Sequence, residues 1–478
     1  MKKEVSILCF RQDLRISDNL ALNAAVSSGD VLPIYVFEEG FQSDSSKMGG
    51  ASKVWLRHSL SKLNESLNGN LNIYHGKVCE VIERLIKTYD VKNIFLNKCY
   101  EPWHLDQEKT LSDFCKEAGI NYEISNSNYL WDVDEILKDD GSHYKIFTAY
   151  KNKAYSVPVR AKADCPKSSV FIKDDTNKIT ISDLNLIPKI NWYKSIEKSW
   201  EVGEAAASKK LDFFIQNNLS GYKENRDYPA KDVTSKLSPH LHFGEISPIT
   251  IWHAINHWGR LSAPHIDVEH FLSELIWREF SCYLLHHFKN LYRDNFNNKF
   301  NAFAWEDNPV LLKAWQSGNT GYPIIDAGMR ELWQTGYMHN RVRMVVASFL
   351  VKNLNIHWHY GCDWFWDCLV DADLANNSAS WQWVAGSGVD AAPYFRIFSP
   401  ITQGEKFDGA GEYTRRFVPE LKAIPDKYLF KPWDAPLEVI KRAGVELGKT
   451  YPKPIVDFSE SRKRALALYK NISLTTGI

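Results

Sequence analysis

The chain reads as an α/β domain followed by an all-α domain: a Rossmann-like parallel sheet first, a helical bundle after it. Three observations predict this. A chain of 478 residues exceeds what one hydrophobic core supports. Its first ~130 residues alternate strand-like and helix-like segments, the mark of a parallel sheet with crossover helices. Beyond residue 203 helical periodicity takes over, strand patterns become scarce, and Pro and Gly punctuate the segments. The expected organisation is 1–130 for the α/β domain, 131–202 for a connector and 203–478 for the helical domain.

VSILCF (5–10), VLPIYVF (31–37), LNIYHG (71–76) and NIFLNKCY (93–100) are short apolar runs of the buried-strand type. Leu20–Ser28, Lys53–Leu67 and Cys79–Tyr89 lie between them as helices. No GxGxxG and no Walker A pattern follows these strands, so the domain shows no dinucleotide fingerprint. Segment 162–191 is polar, contains Pro and lacks sustained periodicity, as a connector does. Helices follow at Glu204–Asn217, Pro248–Trp258, Val268–His287, Pro309–Gln316, Ile324–Thr335 and Asn340–Asn353. Ser247 caps the second of these, with Pro248 at its first position. If residues 373–381 are helical, Asp373, Asn377 and Trp381 share one face at i, i+4 and i+8.

Lys+Arg and Asp+Glu both number 58, so the formal net charge is zero. That excludes a uniformly cationic surface but leaves room for a local basic groove. No apolar run approaches the roughly 20 residues of a membrane span. The start, MKKEVSILCFRQDLR, has too short an apolar stretch for a signal peptide. The eight Cys are scattered singly without a CxxC, which indicates neither zinc nor a disulfide framework and suits a reducing, cytoplasmic compartment. No metal is expected. Of 17 Trp, twelve lie after residue 240, which draws attention to the second half of the chain.

Four segments concentrate chemistry there. In TSKLSPHLHFGEIS (234–247), Thr234, Ser235 and Ser238 offer hydroxyls and amides suited to a diphosphate; an ordinary helix-cap cluster explains them as well. In FLSELIWREF (271–280), Glu274 and Arg278 stand at i, i+4 beside Trp277; this is either a surface pair or the polar edge of a site for a planar heterocycle. In 318–351, Asn340, Arg343 and Met344 share a helix face while Arg341 points away from it, a cationic helix start running into an apolar stretch. The fourth, 371–408, packs two acids, paired amides, Trp-Gln-Trp and a glycine-rich turn together. Trp305, Trp358 and Trp381 stand in separate segments, and each taken singly reads as core.

Together these blocks resemble the photolyase/cryptochrome family over nearly the whole chain. FRQDLRISDN, NRDYPAKDVTSKLS, ELIWREF, TGYPIIDAGMR, TGYMHNRVRM and DADLANNSASWQWVAGSGVDAAPYFRIFSPITQGEKFD stand in the family's order. The resemblance implies a helical domain holding FAD in a U shape. Carried over by position, Tyr222, Thr234, Ser235, Lys236, Leu237 and Ser238 grip the ribityl-diphosphate. Phe271, Glu274, Arg278, Asn340, Arg343, Asp371 and Asp373 surround the flavin and its linker, and Asn377 faces flavin N5. Trp381, Trp358 and Trp305 occupy the electron-relay positions: excited oxidised flavin takes an electron from Trp381 and the hole hops outward.

Glu274, Trp277, Asn340, Arg341, Met344 and Trp383 fit the pattern of the family's cyclobutane pyrimidine dimer (CPD) enzymes of class I/III type. The (6-4) photolyases place a histidine where Met344 stands, because their proton chemistry needs an acid–base group. The implied reaction is light-driven electron transfer from fully reduced FAD to the dimer, ring splitting and return of the electron. It is a carbon–carbon lyase reaction on a flipped lesion, and the principle of base flipping itself names photolyases as examples. Glu274, Trp277, Met344, Asn377 and Trp383 would carry the chemistry, with Lys223, Arg226, Arg341, Arg396, Lys406 and Arg415 as phosphate contacts. The expected partner is DNA containing such dimers, bound by a monomer in the cytoplasm (at the nucleoid, in a bacterium).

The chain departs from the family pattern at Phe271 and Tyr337, where many members have Trp, and at Lys236, where Arg is frequent. Its SPHLHFGEIS and VAGSGVDAAPY variants look closer to class III. Around NKCYEPWHLDQE (97–108) the Asn-Glu pair of some folate-binding members is missing. The antenna expected is a folate, 5,10-methenyltetrahydrofolate, with 8-hydroxy-5-deazaflavin or none as alternatives. The competing functions are a cryptochrome photoreceptor without repair and a generic electron-transfer flavoprotein. Signalling members often carry long tails, whereas about 70 residues follow QGEKFD here.

Overall fold

The computed structural model describes residues 2–38, 47–166 and 170–475, so residues 167–169 of the polar connector lie outside it. The chain forms two compact units. The first takes in Met1–Tyr222, Thr234–Lys289 and Val370–Asp373; the second takes in Lys223–Val233, Asn290–Leu369 and Leu374–Ile478.

The first unit is built on five parallel strands, β1 (Glu4–Phe10), β2 (Val31–Phe37), β3 (Asn72–His75), β4 (Asp90–Asn97) and β5 (Asn121–Ser125), in the order β3-β2-β1-β4-β5. This is the order of a doubly wound sheet. The central strand shows why VSILCF reads as an unbroken apolar run. Leu8 and Phe10 face a core with Leu22, Trp55, Leu60 and Phe95, while Val5, Ile7 and Cys9 face another with Ile34, Val81, Ile82 and Ile94. A strand covered on both faces has no side to leave polar. The crossovers are α1 (Leu20–Ser27), α2 (Gly50–Ser66), α3 (Val78–Thr88) and α4 (Pro102–Ala118).

Four of these strands and three of these helices match the expected ones to within a few residues. β3 is shorter than the run 71–76, and β4 begins at Asp90 and ends at Asn97 rather than spanning 93–100. β5 and α4 escaped notice for a physical reason. NYEIS lies at the sheet edge without one fully buried side chain, and α4 buries only Leu111 and Cys115. Neither gives a strong apolar period. The connector is more structured than expected: Phe147–Ser156 is a helix, and Phe171 bridges Val31.

The motif after β1 is architecture. Arg15 is buried and donates to the carbonyls of Ser17, Asp18, Ser127 and Gly244 and to Asn128 Oδ1. Arg160 grips Asp18 in a two-pronged pair at 2.6 and 3.1 Å. Gly244 has φ +67°, and a Cβ there would stand 1.9 Å from the Gln12 carbonyl oxygen. FRQDLRISDN and HFGE are therefore two halves of one packed junction, which only glycine permits.

The helices of the first unit include Glu204–Asn217 and His265–His287; those of the second include Pro309–Gln316, Pro323–Thr335, Trp358–Cys368, Leu374–Ala385 and Pro400–Phe407. Two expected helices change pitch. Pro248–Ala254 runs into a π-turn at Ile255–Gly259, and Asn340–Ser348 into another at Phe349–Asn353. Ser247 Oγ accepts the Thr250 amide as the expected cap. The helix at 374–385 starts one residue after Asp373, so its shared face holds Asn377 and Trp381 without the acid. No helix among the described residues is long and apolar enough to cross a membrane.

Candidate functional site

In the first unit, Lys236 sits at φ +50°, a left-handed conformation that non-glycine residues seldom adopt. The chain turns sharply there, burying Leu237 and delivering Ser238 to the start of a short helix, Ser238–His242. Ser238 Oγ donates to Asp371 Oδ2 at 2.6 Å, which satisfies a buried carboxylate. Asp373 Oδ2 lies 3.8 Å from His242 Nδ1. Tyr222 and Phe271, both buried, meet edge to face at 5.5 Å, and Phe214 packs against both rings. Thr234 and Ser235 are half-buried on the same turn. One unit thus collects the hydroxyl-rich turn, its acid and its aromatic backing.

Helix His265–His287 presents Glu274, Trp277 and Arg278 as half-buried residues. Trp277 lies flat on Phe147, with centroids 3.6 Å apart and planes 8° from parallel, so only its other face is left for a ligand. Arg278 Nη1 donates to Glu279 Oε1 at 2.9 Å and to the Asn128 carbonyl at 3.1 Å, and its guanidinium lies 5.1 Å above the Tyr129 ring. Glu279 Oε2 accepts the Leu130 amide at 3.0 Å. Burial pushes the Glu279 carboxyl up to about 7, against the pull of Arg278 and the Leu130 amide. The pairing of Arg278 with Glu279 was not read from the sequence, because neighbours at i, i+1 do not normally face each other on a helix.

In the second unit, helix Asn340–Ser348 buries Val342 and Val345–Ser348 and turns Asn340, Arg341, Arg343 and Met344 outward, half-buried or exposed. Arg343 Nε donates to the Met338 carbonyl at 2.7 Å and its guanidinium lies 5.2 Å from the Tyr337 ring. Arg341 Nη2 donates to Asp227 Oδ2 at 2.6 Å and its guanidinium lies 4.5 Å from the Phe407 ring. A phosphate at Arg341 would have to compete with that carboxylate. Arg396 and Lys406 are exposed, Arg226 is half-buried, and Arg396 and Lys406 each overlie a Phe ring. Arg415 serves the fold instead, donating to Ala410, Ile424 and Asp426.

Asn377 is held by its amide nitrogen. Nδ2 donates to the Cys362 carbonyl at 3.0 Å and lies 3.2 Å from Cys362 Sγ. A carbonyl partner demands the NH2 end, which settles the amide's orientation and leaves Oδ1 to meet a donor.

Trp305, Trp358 and Trp381, the tryptophans expected to form a relay, lie in this unit. The Trp381 benzo ring fits against Gly361, where a Cβ would fall 2.1 Å away, and Gly361 is one turn from Trp358 on the same helix. His357 touches both of the others, 5.6 Å from Trp358 and 5.1 Å from Trp305. Trp381 and Trp358 are buried, whereas Trp305 is half-exposed. Trp358 Nε1 donates to the buried Asn295 Oδ1 at 2.9 Å. Trp383 is half-buried, and Gln382 beside it is fully buried, donating to the Leu291 and Asp294 carbonyls and accepting the Phe296 amide. Gln382 and Gly361 carry no motif of their own, and only packing reveals them.

A five-stranded doubly wound sheet joined to a tryptophan-rich helical unit defines a two-part α/β plus helical protein. The family described as DNA photolyase matches residues 6–167, and the FAD binding domain of DNA photolyase matches residues 271–471. The chain is 46% identical to a deoxyribodipyrimidine photo-lyase of Agrobacterium fabrum, covering all of both chains. It is 35% identical to cryptochrome-1 of Arabidopsis thaliana, over 96% of this chain and 69% of that protein. The crystal structure of a bacterial class III photolyase from Agrobacterium tumefaciens superposes with a TM-score of 0.95 at 46% identity, over 99% of this chain and 98% of that one. The chain belongs to the photolyase/cryptochrome family, and its second half carries an FAD-binding domain.

Proposed function

We propose that the protein is a light-driven lyase that splits cyclobutane pyrimidine dimers in DNA, using reduced FAD. The observation that carries this is the fixed amide of Asn377. With Nδ2 committed to Cys362, Oδ1 is the acceptor, and an acceptor at flavin N5 favours the form that bears a proton there, the reduced form. Bound and reduced, FAD supplies the electron that light drives into the dimer.

The residues present suit such a group. Tyr222 and the turn of Thr234, Ser235, Lys236, Leu237 and Ser238 would offer hydroxyls, amides and one cation to the diphosphate. Phe271, Glu274, Arg278, Asn340, Arg343, Asp371 and Asp373 would border the flavin. Trp277, open on one face, and Trp383 would flank the extruded bases, with Met344 as a polarisable apolar wall. Glu274 would meet a base edge and Asn340 the lesion's rim. Arg226, Arg341, Arg396 and Lys406 would hold backbone phosphates. Trp305, Trp358 and Trp381 would return the oxidised cofactor to its working state.

The nearly full-length relatives named deoxyribodipyrimidine photo-lyase support repair over the photoreceptor reading, which the cryptochromes at 35% identity keep as the alternative. The class III neighbour supports that subclass. In function, 1–130 would house an antenna, 131–202 would connect and 203–478 would carry catalysis. The antenna would be 5,10-methenyltetrahydrofolate, with 8-hydroxy-5-deazaflavin or none as alternatives. The protein would act as a cytoplasmic monomer. The test mixes reduced protein with ultraviolet-irradiated oligothymidine and follows recovery of thymine absorbance. Recovery in light but not in darkness is expected; no light-dependent recovery would transfer the reading to the photoreceptor.

A further inference from the structure

Helix His265–His287 ends in two adjacent histidines, His286 and His287, against the loop that carries Asp134. We propose that His286, His287 and Asp134 form a binding site for one transition-metal dication of the zinc type.

One ligand atom from each of the three lies within 4.8 Å of those of the other two. Ligands on a zinc with bonds of about 2.0–2.1 Å stand roughly 3.3 Å apart in a tetrahedron. The site therefore closes with a small rotation of side chains, and Asp134, an exposed loop residue, is free to make it. His286 Nδ1 is buried without a hydrogen-bond partner, a nitrogen that the fold itself leaves unsatisfied. His287 Nε2 lies 3.9 Å from Asp134 Oδ1 and donates a long hydrogen bond to the Val133 carbonyl at 3.4 Å, which a metal ion on Nε2 would replace. His143 stacks on His287 with centroids 3.9 Å apart, and Tyr100 meets the His286 ring at 5.2 Å, which restricts both imidazoles.

The electrostatics suit a cation. Asp134 adds a negative charge and Lys98 is paired with Asp132, while Lys289, just past the helix end, opposes a cation at His286. Two imidazoles and one carboxylate favour zinc, cobalt or nickel over calcium or magnesium. A second cluster, Cys99, Glu101 and His104, is as tight. The Arg11 guanidinium acts on both Cys99 and His104 there and opposes a dication, so that cluster carries no such proposal. The photolyase reaction uses none of these residues. The site would pin the end of the helix that bears Trp277 and Arg278.

The test uses untagged, FAD-loaded, full-length protein stripped with chelator and titrated with Zn²⁺ against a chromophoric competitor. One equivalent is expected to bind with micromolar affinity or tighter. A His286→Ala/His287→Ala variant should lose at least about 100-fold in affinity, and Asp134→Asn at least about 10-fold. Asp134→Asn removes only an exposed group, so its fold should survive even if the double variant's does not. Cobalt substitution should give visible d–d bands that vanish in the same variants. Absence of stoichiometric binding by the wild-type chain, or unchanged affinity in Asp134→Asn, would overturn the proposal.

Discussion

At the scale of single residues, the proposed relay and the proposed lesion face make separable demands. Trp381 is buried against Gly361 and Phe365, and in the proposed relay its indole would bear a transient positive charge there without a counter-ion. Trp381→Phe should abolish photoreduction of oxidised flavin. Gly361→Ala sets a methyl carbon 2.1 Å from the Trp381 ring. It should cost about 1–3 kcal/mol by overpacking and slow photoreduction, because the ring must shift to fit. Flash photolysis and thermal melting check both. Met344 is half-buried on the outward face of its helix. Met344→His should abolish dimer repair while leaving FAD content near the wild-type level; equal loss of both would show that Met344 lies elsewhere in the mechanism. The i, i+3 and i, i+4 spacing marks Asn340, Arg343 and Met344 as one face, and none of the three is buried. Arg278's bond to Glu279 stayed hidden, because helix geometry alone does not bring adjacent side chains together.

At the scale of elements, two helices of the second unit share one device. His339 Nδ1 accepts the Arg341 amide at the start of Asn340–Ser348, and His357 Nδ1 accepts the His359 amide at the start of Trp358–Cys368. Burial lowers both imidazoles to about 4. A base whose folded value lies below its unfolded value contributes stability fully present above the unfolded value of about 6.5 and lost as pH falls toward 4. For His339, which is buried, this amounts to about 3 kcal/mol. Protonation also removes the lone pair that caps the helix. The melting temperature should therefore drop between pH 6.5 and 4, and His339→Asn, which keeps a cap acceptor but cannot titrate, should drop less. Equal slopes would contradict the assignment. No motif announces these caps, since His is an unusual N-cap. The π-turns at 255–259 and 349–353 were equally hidden: the apolar period continues through them while the hydrogen-bond register slips by one.

At the scale of the whole molecule, the sheet was legible because strands covered on both faces must be apolar throughout, and the helical half because periodicity and punctuation agreed. β5 and α4 were not, because an edge strand and a thinly buried helix leave weak patterns. Several family motifs proved to serve the fold: Arg15 and Gly244 lock a junction, and buried Asp326 accepts from Thr320, Gly321 and Tyr451. A motif match therefore marks the family without marking each residue as chemical. In the proposed reaction the reduced cofactor donates to the lesion, and the tryptophans only prepare it. The direct measurement is chromatographic yield of thymine monomers from a dimer-bearing oligonucleotide, with wild type and Trp381→Phe, each pre-reduced, in light and in darkness. Both proteins should release monomers in light and neither in darkness. No light-dependent release from pre-reduced wild type would contradict repair, and its loss in Trp381→Phe alone would contradict the division of labour.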